Sequence, residues 1–244
     1  MKQPRIFCFL LSFFLVFFGV FGANVSSAHA ESVCSIPLDL SPLSGFFFLG
    51  ESTTAHLKAR SPLPREQVLT NESGTMRLDS TLLSRPINHP KSGEHVKLPD
   101  LLRENPPSGI FLSFGLNGIL GFCERPSSYT ENYRRVIRSI RESAPQAVIC
   151  VQAIYPVARS EHQSDWPFSK SPSEINEMIL CLNRLLPDLC NGEGVYFVDA
   201  ATCLRDADGY LYADYTTDGI HLTDGAYLEI LQTLVRFVSK EIQS

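Results

Sequence analysis

The sequence carries little charge: Asp, Glu, Lys and Arg make up 19% of its 244 residues, and the formal balance is −5. No block of like charge is long enough to act as a solvated tail, and the mildly acidic balance argues against a nucleic-acid partner. There is no C-x-x-C pair, and the cysteines are spaced too widely for a structural zinc site. Asp206-Ala207-Asp208-Gly209 lacks the trailing glutamate of a calcium loop and reads as a turn. No internal repeat and no second domain are visible. What is present is a composition 44% hydrophobic, enough for one sizeable core and far from that of a disordered chain.

Lys2 and Arg5 precede an apolar run from Ile6 to Ala23, and Ala28-His29-Ala30 offers a small-residue cleavage pattern. The expected organisation is a signal peptide over 1–30 and a single domain over 31–244. Because the run is at the threshold length for a spanning helix, an uncleaved membrane anchor is the alternative. Either way the body is expected to work outside the cytoplasm, secreted or in the cell envelope. Removal of Cys8 leaves Cys34, Cys123, Cys150, Cys181, Cys190 and Cys203, an even number that permits disulfides in an exported protein. Cys150 lies in an apolar, β-branched run and reads as a buried free thiol.

Five short apolar runs read as strands: Phe46 to Leu49, Gln67 to Thr70, Gly109 to Phe114, Ala147 to Ile154 and Val195 to Asp199. Helices are expected after Ser52 to about Arg60, over Leu98 to Glu104, over Thr130 to Ser143, from Ser173 (as N-cap) to Leu186, and over Asp224 to Ile242. Ser80 to Ser84 reads as a short helical piece. Pro86 to Glu94 reads as irregular and Cys123 to Ser128 as loop. The alternation implies a three-layer α/β/α fold, a doubly wound parallel sheet of about five strands. Right-handed crossovers then gather the loops after the strands on one rim, where such sheets place their ligands.

Ser52 follows the first strand directly, through Gly50 and Glu51. Amide groups at a helix start favour developing negative charge, although serine there is also a common helix cap. Far along the chain, Asp218-Gly219-Ile220-His221 puts a carboxylate three residues before an imidazole. A histidine base needs one ring nitrogen exposed and the other held by an acceptor, which such a loop can supply. His56 falls on the first helix and reads as structural. The loop from Tyr155 to Ser171 is long, holds Phe168 and Trp166, the lone tryptophan, and is expected to line a substrate pocket.

Four blocks occur in one order: Gly50-Glu51-Ser52, Ser73-Gly74, Gly115-Leu116-Asn117 and Asp218-Gly219-Ile220-His221. Together they resemble the SGNH hydrolases, also called the GDSL family, over essentially the whole body. The resemblance implies a nucleophilic Ser52, with His221 as base and Asp218 as its partner. It implies an oxyanion hole from the Ser52 N–H, the Gly74 N–H and the Asn117 side chain, with no metal or organic cofactor. Two positions depart from the family pattern: Glu51 stands where aspartate is usual, and Gly118 follows Asn117 where many members have aspartate. The absence of a G-x-S-x-G elbow argues against the α/β-hydrolase fold.

The expected activity is that of an exported serine esterase. It would hydrolyse carboxylic esters, such as acetylated glycan or lipid ester, through an acyl-serine. A glycan O-acetyltransferase and a catalytically silent envelope module are the alternatives.

Overall fold

The run Phe46–Phe47–Phe48–Leu49 is apolar at every position, which suits a strand covered on both faces. In the computed structural model, which describes residues 38–159 and 166–244, it forms β1 (Phe46–Gly50), next to the centre of a five-stranded sheet. The other elements are β2 (Val68–Leu69), β3 (Pro86–Asn88), β4 (His95–Lys97), β5 (Gly109–Ser113), β6 (Val148–Gln152) and β7 (Tyr196–Val198). The order across the main sheet is β2-β1-β5-β6-β7, every pair parallel. β3 and β4 form a separate antiparallel pair. The signal-peptide reading and Cys34 fall outside the described residues.

Side chains alternate across the pleat with a period of two. Leu49, Ile110, Leu112, Ile149 and Val151 point into one apolar layer. Phe46, Phe48, Phe111 and Cys150 point into the other. Over the first face lie α3 (Leu98–Glu104), α4 (Ile119–Glu124), α5 (Pro126–Ser143), α6 (Pro172–Asn183) and α7 (Leu186–Glu193). Over the second lie α2 (Leu57–Arg60), which follows the one-turn α1 (Ser52–Ala55), and α8 (Asp224–Glu241). The two layers make this the expected α/β/α sandwich. On α5, Tyr129, Tyr133, Val136, Ile137 and Ile140 recur on one face at helical spacing, and all are buried.

Several boundaries differ from the sequence reading. Pro86 to Glu94 is not wholly irregular: Pro86, Ile87 and Asn88 pair with Lys97, Val96 and His95. Cys123 to Ser128 is not loop, because Pro126 sits in the first turn of α5, where its missing N–H has no helical partner to lose. Ser80 to Ser84 forms turns rather than a helix. The cap of α6 is Ser171, not Ser173. Pro172 opens the helix, and the Ser171 and Glu174 side chains each bond the other's N–H, a capping box. That helix ends at Asn183, short of the expected Leu186, and Leu186 and Pro187 open α7. Cys123, Cys150, Cys181, Cys190 and Cys203 are all free thiols, Cys150 fully buried.

Two asparagines of α6 hold the chain that leaves β6. Asn183 accepts the Ile154 N–H and donates to its carbonyl, at 2.8 and 2.9 Å. Asn176 does the same for Val157, at 3.0 and 2.8 Å. A stretch that leaves the sheet and is still buried needs such partners for its backbone polar groups.

Candidate active site

Ser52 is the first residue of α1, immediately beyond β1. Gly50 makes that junction possible: a Cβ there would stand 2.1 Å from Thr54 Oγ1 and 2.4 Å from the Ser113 carbonyl oxygen. His221 arrives from the other end of the chain, in a loop closed by the antiparallel bridge between Thr216 and Leu222. The Tyr227 hydroxyl of α8 donates to the Thr53 carbonyl at 2.6 Å, which ties the helix after His221 to the turn that carries Ser52.

The result is a chain of three polar groups. Ser52 Oγ lies 3.1 Å from His221 Nε2, and His221 Nδ1 lies 2.5 Å from Asp218 Oδ2. The other carboxylate oxygen of Asp218 accepts the N–H groups of Ile220 and His221, at 2.9 and 2.7 Å. Partial burial raises the Asp218 pKa, but the bonds from the His221 ring and from these two N–H groups outweigh it. The carboxylate is held below its ordinary range. Thr216 latches the loop: its hydroxyl donates to the His221 carbonyl at 2.7 Å and accepts the Gly219 N–H at 3.0 Å. The ring of His56 packs on that of His221, with centroids 4.7 Å apart. Burial first, then the neighbouring His221 and Arg60, pull the His56 pKa down, which favours a neutral ring there.

Opposite this chain runs the turn after β5. Gly115 has φ +141°, and a Cβ on it would meet Ile154 Cδ1 at 2.4 Å, so only glycine fits. Buried side chains hold the turn's backbone. Glu51, 4% exposed, accepts the Gly115 N–H at 2.9 Å and the Asn117 N–H at 3.0 Å. Tyr129 and Tyr133 both donate to the Phe114 carbonyl, at 3.0 and 3.1 Å. Burial pushes the Glu51 pKa up to about 7, against the pull of the N–H donors. The Asn117 amide donates weakly to the Met76 carbonyl at 3.4 Å, and Asn117 lines the same cleft as Ser52 and His221.

That cleft holds about 500 Å³ and is lined by apolar Leu116, Pro167, Phe168 and Ile220 and by polar Thr75 and Arg77. A larger cavity, about 770 Å³, sits beside Gly45 and Pro107, at the opposite, N-terminal ends of β1 and β5, and is remote from Ser52.

Of the residues singled out in the sequence, Ser52, Asn117, Asp218 and His221 come together. Gly74 comes near, beside Ala55 of α1, but its N–H is spent on the Asn71 carbonyl at 3.1 Å and it does not line the cleft. Trp166 does not line it either. Its indole N–H donates to the Lys170 carbonyl at 2.8 Å and its ring packs edge-on against Phe168, 5.2 Å away, and it is Phe168 that faces the cleft. Phe168 lies on the loop expected to line a substrate pocket, and it does line the cleft; the roles of Thr216 and Arg77 are not visible in the sequence. Glu51 stands out in the sequence only as a departure from the family pattern, and its place next to Ser52 is the signal of its role. Among the described residues no group of three or more His, Cys, Asp or Glu stands where it could hold a metal ion.

A search of curated proteins finds no match. Among solved structures, the chain is similar to one from Streptococcus pneumonia provisionally assigned as a platelet activating factor. Identity is 24%, TM-score 0.54, and coverage 80% of this chain and 83% of that one. It is also similar to a provisionally assigned acylhydrolase from Bacteroides fragilis (16% identity, TM-score 0.50, coverage 80% and 86%). A third is an extracellular lipase from Streptomyces rimosus (13%, 0.50, coverage 77% and 98%). At these identities the likeness establishes the fold. The model of the GDSL-like lipase/acylhydrolase family matches residues 48–228, from β1 into α8. The chain therefore belongs to the GDSL-like lipase/acylhydrolase family and is a serine hydrolase of the ester-cleaving class.

Proposed function

We propose that this protein is an exported esterase that cleaves carboxylic esters of a glycan or lipid through an acyl-Ser52 intermediate. The observation that carries the reading is the unbroken run Ser52 Oγ, His221, Asp218, at 3.1 and 2.5 Å. A serine hydroxyl is a poor nucleophile until a base takes its proton. His221 Nε2 is placed to do so, while Asp218 holds Nδ1–H and favours the imidazolium that forms. The same imidazolium then returns its proton to the departing alcohol, and His221 next activates water to release the acid.

The tetrahedral oxyanion needs donors set in advance. The Ser52 N–H donates to no other group among the described residues, and Asn117 lines the cleft. With the Gly74 N–H held by Asn71, the hole proposed here rests on those two donors. The apolar wall of Leu116, Pro167, Phe168 and Ile220 suits the hydrocarbon part of an ester. Export rests on the basic and apolar N-terminal segment, Lys2 to Ala30.

The test is turnover of p-nitrophenyl acetate by the purified chain beside Ser52→Ala. Burst kinetics and loss of nearly all turnover in the variant are expected. Equal rates would return the protein to the class of silent binding modules.

A further inference from the structure

We propose that Arg77 binds an anionic group, carboxylate or phosphate, on the ester substrate, a reading that rests on the esterase function above. Arg77 lines the cleft with Ser52, Asn117 and His221. It also lines a second hollow of about 320 Å³, which shares Arg77, Asn117 and Gly118 with the first and extends past Ser80 and Phe122 to Arg125. The two spaces therefore meet across Asn117 and Gly118. Arg77 reaches this crossing: its Nη2 stands 3.6 Å from where a Cβ on Gly118 would be.

Elsewhere this chain tends to pair its arginines. Arg134, Arg138 and Arg141 converge on Glu193, and Arg159 holds Asp206 and Asp208. The Arg77 guanidinium has no hydrogen bond and no ion pair among the described residues, and neither does that of Arg125. Two carboxylates lie near Arg77. Asp79 is engaged by Arg85 at 3.2 Å and by Thr81 at 2.6 and 2.8 Å. Glu51 is buried beneath the turn and spends its oxygens on Gly115 and Asn117. Arg77 favours the charged form of Glu51 through space without touching it.

An exposed guanidinium at the edge of a reacting centre, in a chain of net charge −5, is a local exception in the field. Its fork matches carboxylate and phosphate oxygens in pairs. A substrate anion seated there would place the scissile carbonyl beside Asn117 and Ser52 by one fixed contact.

The experiment compares kcat/KM for matched esters. Mono-p-nitrophenyl succinate against p-nitrophenyl butyrate places a carboxylate on the acyl half. 3-Acetoxypropanoate against propyl acetate places it on the alcohol half. 2-Acetoxyethyl phosphate against the same neutral acetate offers a phosphate. In at least one arm, Arg77→Gln should lower the ratio of anionic to neutral turnover by about 10- to 100-fold. Arg77→Lys should restore part of it, and Arg125→Gln should lower it less. A merely structural role for Arg77, or support of Glu51, would lower both members of a pair together and leave the ratio fixed. Ratios unmoved by Arg77→Gln in all three arms, with neutral esters still cleaved through Ser52, would overturn the anion assignment alone. Failure to cleave even the neutral esters would overturn the esterase reading and this one with it.

Discussion

Glu51 and Asn117 are sixty-six residues apart in the chain and 3.0 Å apart in the fold, carboxylate oxygen to backbone N–H. The residue before the proposed nucleophile thus sets the position of the proposed oxyanion donor. Its second oxygen takes the Gly115 N–H at 2.9 Å, so one buried side chain spans the turn. The extra methylene relative to aspartate is accommodated with both contacts made.

Glu51→Gln replaces one acceptor oxygen with an NH₂ facing an N–H. A displaced donor turn should lower kcat by about 10- to 100-fold with KM little changed. The stability effect depends on pH. Burial raises the carboxyl from 4.5 to about 7, so the folded state holds the proton more tightly than the unfolded one. The resulting stabilisation is full below pH 4.5 and is lost as pH rises to about 7, on the order of 3 kcal/mol by linkage. Urea unfolding at several pH values across that window should show wild type losing stability relative to Glu51→Gln. Parallel curves would contradict the assignment.

Asp218→Asn should lower kcat by about 10⁴, since the amide cannot hold His221 in the productive tautomer. Thr216→Val should cost less, on the order of 1 kcal/mol of stability, because it removes the latch to the Gly219 N–H and the His221 carbonyl and two long, 3.4 Å contacts with Asp218, while the Asp218 carboxylate keeps its bond to the His221 ring. Steady-state kinetics with thermal melts on both variants separate the two effects. Equal losses in kcat would mean that the latch, not the acid, governs the imidazole.

Asn117→Ala should lower kcat by about 10²- to 10³-fold, the usual loss for one oxyanion donor. The Met76 carbonyl gives up only a 3.4 Å contact, so the melting temperature should hardly move. Full activity in the variant would leave the hole to backbone amides and bring the Gly74 turn back into consideration.

Phe168→Ala should raise KM for longer acyl esters more than for acetate, because the ring forms part of the cleft wall. Trp166→Ala should give a weaker version of the same profile, through loss of the edge-on contact that supports Phe168. A chain-length series with both variants tests this. The reverse ranking would put Trp166 itself on the substrate.

Ser52, Asp218 and His221 are of residue types the chemistry needs, but it is the ordered set of blocks resembling the SGNH hydrolases that singles them out together, and Asn117 is legible only through that resemblance. The five strands were legible because runs such as Phe46 to Leu49 and Val148 to Val151 are too apolar for any place but a covered sheet. Helix ends were less so: Ser171 and Ser173 are both acceptable caps locally, and only the reach of the Glu174 side chain decides between them. What Glu51, Thr216 and Arg77 do was decided by the tertiary structure, as was which aromatic of the 155–171 loop, Phe168 rather than Trp166, faces the cleft. Their partners lie in other segments or depend on how a loop closes. Burial, distance and free amide groups arise only once the parallel sheet has brought the ends of β1, β5 and the last loop to one edge. Local pattern fixes which groups the chain can offer; packing determines which of them meet.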